Sequence, residues 1–180
     1  MLTTTTDNLQ LTNMTLHELN ILPKQQLREE LLKCCSSSAW VDKMLPFFPA
    51  DDMVELLEDA EEQWFKCSEQ DWKEAFAQHP KIGDIQSLEK KFASTAAWAS
   101  GEQEAIKTAS SQTLQELKDV NQQYEDKFGY IFIICATGKS ADEMLGLLQT
   151  RLQNSPEVEI EIAADEQNKI TKLRIEKLLE

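Results

Sequence analysis

The segment His79-Pro80-Lys81-Ile82-Gly83-Asp84 is the part of this chain best suited to present a chemically active side chain. A residue before proline is biased toward extended backbone, so the helix-like sequence that precedes His79 should end there. Proline lacks an N–H and glycine can adopt positive φ, so the segment predicts a shaped turn. An imidazole on such a turn can act as an acid or a base, since its unperturbed pKa is about 6.5. The alternative is a helix-ending turn whose histidine has no chemical role.

Two charged residues accompany this turn. Arg174 lies four residues after Ile170 and four before Leu178, which puts it on the apolar stripe of the last predicted helix. There it either extends past the core edge to pair with a neighbouring glutamate, or enters a pocket where its guanidinium could hold a carboxylate. Glu102 falls at the start of another predicted helix, where the helix dipole favours a carboxylate. That is the commoner role of a glutamate at such a position, but its carboxylate could also orient a histidine or accept a substrate N–H.

The run from Tyr130 to Ala136 has the only strand-like composition in the sequence. Aromatic and β-branched residues of this kind favour strands, but the sequence has no obvious second strand with which this run could pair. We therefore predict a buried irregular or helical segment in an all-α domain. The backbone of residues 132–136 could line a pocket, and plain core is the alternative.

Composition excludes several classes of function. A net charge of −14 argues against nucleic acid or an anionic membrane as a partner. The four cysteines form no CxxC pair and the chain has two distant histidines, so no zinc spacing occurs and no metal site is predicted. The N-terminal residues lack a basic region and a long apolar run, which predicts no signal peptide and no membrane span. The four cysteines are expected to be reduced thiols, which predicts a cytoplasmic protein.

The elements that must position these residues are predicted to be helices. The chain of 180 residues has five glycines and five prolines, and it is rich in strong helix formers. Capping-box patterns mark helix starts at Thr15, Ser68 and Ser140. We predict an all-α, single-domain multi-helix bundle over residues 15–180, preceded by a flexible tail over residues 1–14.

Over about residues 16–179 the chain resembles the 2-oxo-4-hydroxy-4-carboxy-5-ureidoimidazoline (OHCU) decarboxylases. The resemblance rests on motifs that occur in the family's order, each of them short and modestly specific by itself. They are His79-Pro80-Lys81-Ile82-Gly83, Trp98…Glu102-Gln103, Tyr124…Phe128-Gly129-Tyr130-Ile131-Phe132 and Ile170…Leu173-Arg174.

The resemblance implies an all-helical homodimer without a cofactor, which converts a small anionic ureidoimidazoline, OHCU, into (S)-allantoin and carbon dioxide. It implies His79, Glu102 and Arg174 as catalytic residues, with the glutamate as the partner of the histidine. It also implies substrate contacts from further positions, which are Pro80, Gln103 and the backbone of Phe132, Ile133, Ile134, Cys135 and Ala136.

One position departs from the family pattern. Many members have serine three residues before the glutamate, whereas this chain has Ala99 there with Ser100 beside it. The departure keeps a second hypothesis open, which is a helical ligand-binding or scaffold protein that retains the fold without activity. The presence of all three implied catalytic residues favours the enzyme.

Overall fold

The computed structural model describes residues 14–79 and 111–179, and these ranges are helical with no strand. The predicted all-α class is therefore confirmed. The helices of these ranges are α1 (Leu16–Asn20), α2 (Lys24–Cys34), α3 (Ser38–Met44), a 3-10 turn (Leu45–Phe47), α4 (Met53–Phe65), α5 (Glu69–Phe76), α6 (Ser111–Phe128), α7 (Ala141–Arg151) and α8 (Pro156–Leu178).

Local sequence sets where several of these helices begin. At Thr15, Ser68 and Ser140 the side-chain hydroxyl accepts the backbone N–H three residues later, and the acidic residue there accepts the cap's own N–H. All three predicted capping boxes therefore form. Each satisfies N–H groups that a helix start leaves without a partner, and a good N-cap is typically worth about 1 kcal/mol.

The long helix α8 is the element on which three of the earlier helices converge. It packs against α2, α4 and α5, while α6 packs chiefly against α7. Buried tryptophans tie the layers together through their indole N–H groups. Trp64 of α4 donates to the carbonyl of Ala164 in α8 at 2.9 Å, and Trp72 of α5 donates to the carbonyl of Trp64 at 3.0 Å. Through α4, these bonds fix α5 relative to α8. They therefore also fix the described residues that follow α5, up to His79.

The start of the described chain is joined to the end of α8. The N–H of Met14 donates to the carbonyl of Leu178 at 3.0 Å. Residues 1–13, most of the predicted tail, lie outside the described residues. Within the described ranges, no helix combines the length and apolar character that a membrane span requires.

Residues 131–136, which follow α6, form neither helix nor strand, and residues 132–136 are buried. Of the two forms predicted for this run, the irregular one is therefore the one observed. Gly129 precedes it at φ 78°, a left-handed conformation that glycine adopts without strain and that commonly ends a helix. The run leaves α6 here and passes beside α8.

Candidate functional site

His79 lies three residues after the last residue of α5. The helix ends at Phe76, and the N–H groups of Gln78 and His79 then donate to carbonyls three residues back, at 3.2 and 3.1 Å. This tight turn carries the chain from the last helical residue to the half-buried His79. The helix therefore ends slightly earlier than predicted, but the turn stands directly before Pro80. Pro80 itself lies outside the described residues.

The His79 imidazole is attached to α8 through Gln167. Nε2 of His79 lies 2.6 Å from Oε1 of Gln167, a residue with no exposed surface. The amide Nε2 of Gln167 donates to Oγ1 of Thr171 at 3.2 Å. A buried amide with both ends engaged is held in one orientation, and it therefore holds the imidazole in turn.

Arg174 lies on the same face of α8 as Gln167 and Thr171. The three residues follow the i, i+4, i+7 spacing of one helix face. Seven residues correspond to about 10 Å along the helix axis, which is the separation of Gln167 and Arg174 on this face. The guanidinium Nη1 donates to the carbonyl of Cys34 at 3.3 Å. That carbonyl belongs to the last turn of α2, where the helix dipole favours a cation.

The irregular segment 131–136 is held by side chains instead of by a neighbouring strand. Nη1 of Arg151 donates to the carbonyl of Ile133 at 2.8 Å. The N–H of Cys135 donates to Oε2 of Glu166 at 2.7 Å, and the carbonyl of Cys135 accepts from Nζ of Lys139 at 2.7 Å. Since Glu166 adjoins Gln167, the segment and the imidazole are fixed at the same turn of α8.

Glu166 can hold the Cys135 N–H because its carboxyl group stays ionised. Burial by itself raises the pKa of its carboxyl, but the Lys169 ammonium and the Cys135 N–H outweigh burial, so the pKa is lowered. Nζ of Lys169 lies 2.5 Å from Oε1 of Glu166. At neutral pH the carboxylate is therefore an acceptor on both oxygens, and the Cys135 N–H stays bound.

A buried charged network also holds the segment, through Arg151 of α7 and Glu159 of α8. Glu159 has no exposed surface, and its Oε1 accepts from Nε of Arg151 at 2.8 Å and from the hydroxyl of Tyr124. Its Oε2 accepts from the amide of Asn154 at 2.7 Å. The Arg151 guanidinium also stacks 4.6 Å from the ring centroid of Phe132. A buried ion pair with this many additional hydrogen bonds meets the conditions under which such pairs are tolerated.

The sequence analysis missed Gln167, Glu159 and Arg151. The sequence feature that could have revealed them is a set of polar residues on the buried face of a helix. Glu159 and Gln167 lie four residues before and after Ala163, which is also fully buried. Polar residues at helical spacing on an apolar face point to a buried network, though not to its partners.

The described residues include only part of the predicted site. His79, Arg174 and the segment 132–136 all contact α8 or elements packed on it, whereas Glu102 and Gln103 lie outside the described residues. No group of three or more metal-binding side chains occurs within residues 14–79 and 111–179. The Cys34 and Cys35 thiols lie near this face, and burial raises the pKa of each to about 12, so neither is a thiolate nucleophile at neutral pH.

Comparison with known proteins places this chain in a family. A family model described as OHCU decarboxylase matches residues 20–176. The chain is 42% identical over 153 residues to the uric acid degradation bifunctional protein TTL of Arabidopsis thaliana, which amounts to 83% of this chain and 46% of that protein. It thus spans about half the length of that relative. It is 26% identical over 172 residues to the 2-oxo-4-hydroxy-4-carboxy-5-ureidoimidazoline decarboxylase of Halalkalicoccus jeotgali, with 93% of both chains covered.

Solved structures give the same result. A crystal structure of OHCU decarboxylase in the presence of (S)-allantoin matches with a TM-score of 0.71 and 41% identity, over 84% of this chain and 97% of that one. A structure of (S)-allantoin synthase matches with a TM-score of 0.68 at 17% identity, over 92% of this chain and 54% of that one; this second likeness concerns the fold alone. Because the family model covers residues 20–176 and the first structure matches over nearly its whole length, the chain belongs to the OHCU decarboxylase family.

Proposed function

We propose that this chain is a carboxy-lyase that converts OHCU into (S)-allantoin and carbon dioxide in urate breakdown, without a cofactor. The observation that carries the proposal is the placement of His79 and Arg174 along one face of α8. His79 reaches that face through Gln167, and Arg174 lies two helical turns further on. An acid–base group and a carboxylate-binding group are thus held by one rigid element, together with the segment 131–136.

The substrate's own chemistry explains why such a site suffices. When carbon dioxide leaves, the electron pair remains on a ring carbon and can move into the conjugated ring imine. The protein must then hold the carboxylate, stabilise the developing negative charge and deliver a proton to one face of the carbon that bears the ureido group. Arg174 is suited to the first task and His79 to the last. Glu102 is proposed as the acidic partner of His79.

The contacts of segment 131–136 narrow the backbone groups proposed to bind substrate. The carbonyl of Ile133 and both polar groups of Cys135 are engaged by side chains of this chain, and the carbonyl of Ala136 accepts the N–H of Lys139 at 3.0 Å. Within residues 132–136, the remaining backbone donors are the N–H groups of residues 132, 133, 134 and 136. Backbone N–H groups aimed at a developing negative charge are an effective means of stabilising it.

A stereochemical assay tests the activity. OHCU is generated freshly, the protein is added, and allantoin formation is followed by circular dichroism. Rapid appearance of (S)-allantoin supports the decarboxylase. Racemic allantoin at the background rate contradicts it and favours a non-catalytic ligand-binding or scaffold protein that retains the fold.

The family resemblance supports two further proposals, a homodimer and a cytoplasmic location. Light scattering coupled to size-exclusion chromatography tests the first, because the monomer mass is 20.6 kDa. Fractionation of cells that express the native chain tests the second.

Arg174→Lys is expected to lower kcat/KM by about 10- to 100-fold. Lysine keeps the positive charge but loses the planar fork that holds a carboxylate through two hydrogen bonds. Hydrogen bonds to charged groups are worth about 1.5–3 kcal/mol, which corresponds to this range of rate. Steady-state kinetics on OHCU measure the effect.

The matched control is Arg28→Lys. Arg28 forms a surface ion pair with Asp42, whose side chain is 61% exposed, and such pairs contribute little. The control should match the parent. Equal kcat/KM for Arg174→Lys and Arg28→Lys would remove Arg174 from the proposed site.

A further inference from the structure

We propose that Lys139 is a positioning residue that aims the backbone N–H of Ala136 at the substrate and strengthens it as a hydrogen-bond donor. Lys139 does so by binding the other side of the same peptide group, the carbonyl of Cys135. The inference rests on the proposed function, in which backbone donors of the segment 131–136 stabilise developing negative charge. The orientation of the peptide group is a property of the resting protein.

A tight turn after the segment brings Lys139 within reach of Cys135. The N–H of Lys139 donates to the carbonyl of Ala136 at 3.0 Å, and Gly138 between them has φ 77°, a conformation that glycine adopts in turns without strain. The half-buried Lys139 side chain then returns to the segment, and its Nζ donates to the carbonyl of Cys135 at 2.7 Å. The ammonium is therefore held against the backbone of the segment.

The direction of the Ala136 N–H follows from the geometry of its peptide group. The peptide bonds of residues 133–136 are trans. A trans peptide is planar, and its C=O and N–H point in opposite directions. Because the Cys135 carbonyl is bound to the ammonium, the N–H of Ala136 must point away from Lys139. A cation at the carbonyl also polarises the peptide group, which makes the N–H on its other side a stronger donor.

The neighbouring peptide groups of the segment are held in the same manner. Nη1 of Arg151 donates to the carbonyl of Ile133 at 2.8 Å, which aims and strengthens the N–H of Ile134. Glu166 accepts the N–H of Cys135 at 2.7 Å and so fixes the peptide group between the other two. Three consecutive peptide groups are thus each oriented by a charged side chain.

This arrangement leaves the N–H groups of Ile134 and Ala136 for a ligand. Both residues are buried, and neither N–H has an acceptor within the part of the chain that the structure describes. Buried N–H groups without a partner are rare in proteins. A chain spans at most about 3.6 Å per residue, so the two nitrogens lie no more than about 7 Å apart. Such a separation suits a small ligand with two acceptor oxygens, as in a ureidoimidazoline.

Lys139→Met tests the role of the ammonium, because it removes the donor but retains an unbranched side chain. We expect kcat on OHCU to fall by about tenfold with KM unchanged, since the lost interaction acts on the transition state. Removal of a whole oxyanion donor costs about 10²–10³-fold, whereas this variant keeps the N–H and loses only its aim and polarisation. An unchanged kcat overturns the inference.

Two variants and a control complete the kinetic test. Lys139→Arg retains a cationic donor and should recover most of the lost kcat, which a loss of turn structure alone would not predict. Lys139→Gln is neutral but polar, and it carries the same test if the methionine variant does not fold. Lys118 is exposed on α6, so Lys118→Met should match the parent.

Amide NMR follows the same peptide group without turnover. (S)-Allantoin, the proposed product, is titrated into ¹⁵N-labelled protein. In the parent we expect the amide protons of Ile134 and Ala136 to move downfield on binding. In Lys139→Met the change at Ala136 should shrink, whereas the change at Ile134, whose peptide carbonyl is bound by Arg151, should persist. No change at Ala136 in the parent, or an equal change in the variant, overturns the inference.

The outcomes separate this inference from the proposed function. A parent that lacks decarboxylase activity but shows an Ala136 change that depends on Lys139 supports the positioning role and contradicts the function. An active parent whose kcat and Ala136 change are the same in Lys139→Met contradicts the positioning role and leaves the function standing.

Discussion

His79→Ala is expected to lower kcat on OHCU by about 10²–10⁴-fold, the usual contribution of a well-placed acid–base side chain. His79 stands at the end of α5, half-buried, with its imidazole joined to Gln167 of α8. The substitution removes the proposed proton donor but leaves the helix caps and the tryptophan bonds between α4, α5 and α8 in place. Stopped-flow or steady-state kinetics with freshly generated OHCU measure the loss.

The control for this prediction is His17→Ala. His17 is exposed on α1, and its removal should leave kcat unchanged. The His79 variant must retain the far-ultraviolet helical signal of the parent for the comparison to hold. If the folded His79 variant kept kcat within about threefold of the parent, well short of the range for acid–base catalysis, the assignment of His79 would be wrong.

Glu159→Ala is expected to lower the free energy of unfolding by about 3–5 kcal/mol, the typical cost of removing one partner of a buried ion pair. The carboxylate is fully buried and accepts hydrogen bonds from Arg151, Tyr124 and Asn154. Without it, the Arg151 guanidinium remains in the interior as an uncompensated charge. Urea unfolding monitored by circular dichroism measures the difference.

The matched control lies two residues further along α8. Glu161 is exposed, so Glu161→Ala should change the free energy of unfolding by no more than about 0.5 kcal/mol. Equal unfolding midpoints for the two alanine variants would show that the buried network does not stabilise the fold.

A double variant separates stability from positioning. Arg151→Met combined with Glu159→Leu replaces the ion pair by apolar groups, and such replacements are often neutral or stabilising. Stability should therefore return only in part, because the buried Tyr124 hydroxyl and Ile133 carbonyl lose their partners. The carbonyl of Ile133 would still lack its donor from Arg151, so kcat should remain below that of the parent. Full recovery of both quantities would mean that the network has no role in holding the segment 131–136.

The amino-acid sequence by itself determined the helical elements and the family. Thr15, Ser68 and Ser140 predicted helix starts correctly because a capping box satisfies N–H groups within four residues of chain. The spacing of Ile170, Arg174 and Leu178 placed Arg174 on a helix face, since the helical period is a local property. The order of short motifs identified the family, which the match over residues 20–176 confirms. The roles of His79, Arg174 and the backbone of residues 132–136 remain predictions, as do those of Pro80, Glu102 and Gln103.

Tertiary structure decided how the polar groups of the site are paired. His79 and Gln167 are 88 residues apart in the chain, and no local pattern predicts that α5 ends against that turn of α8. Tyr130 to Ala136 is strand-like in composition, yet its polar backbone groups bond to Arg151, Glu166 and Lys139. Buried backbone and side-chain groups must find partners wherever packing brings them together. Those partners depend on how whole helices pack, and the local sequence around each residue does not encode that.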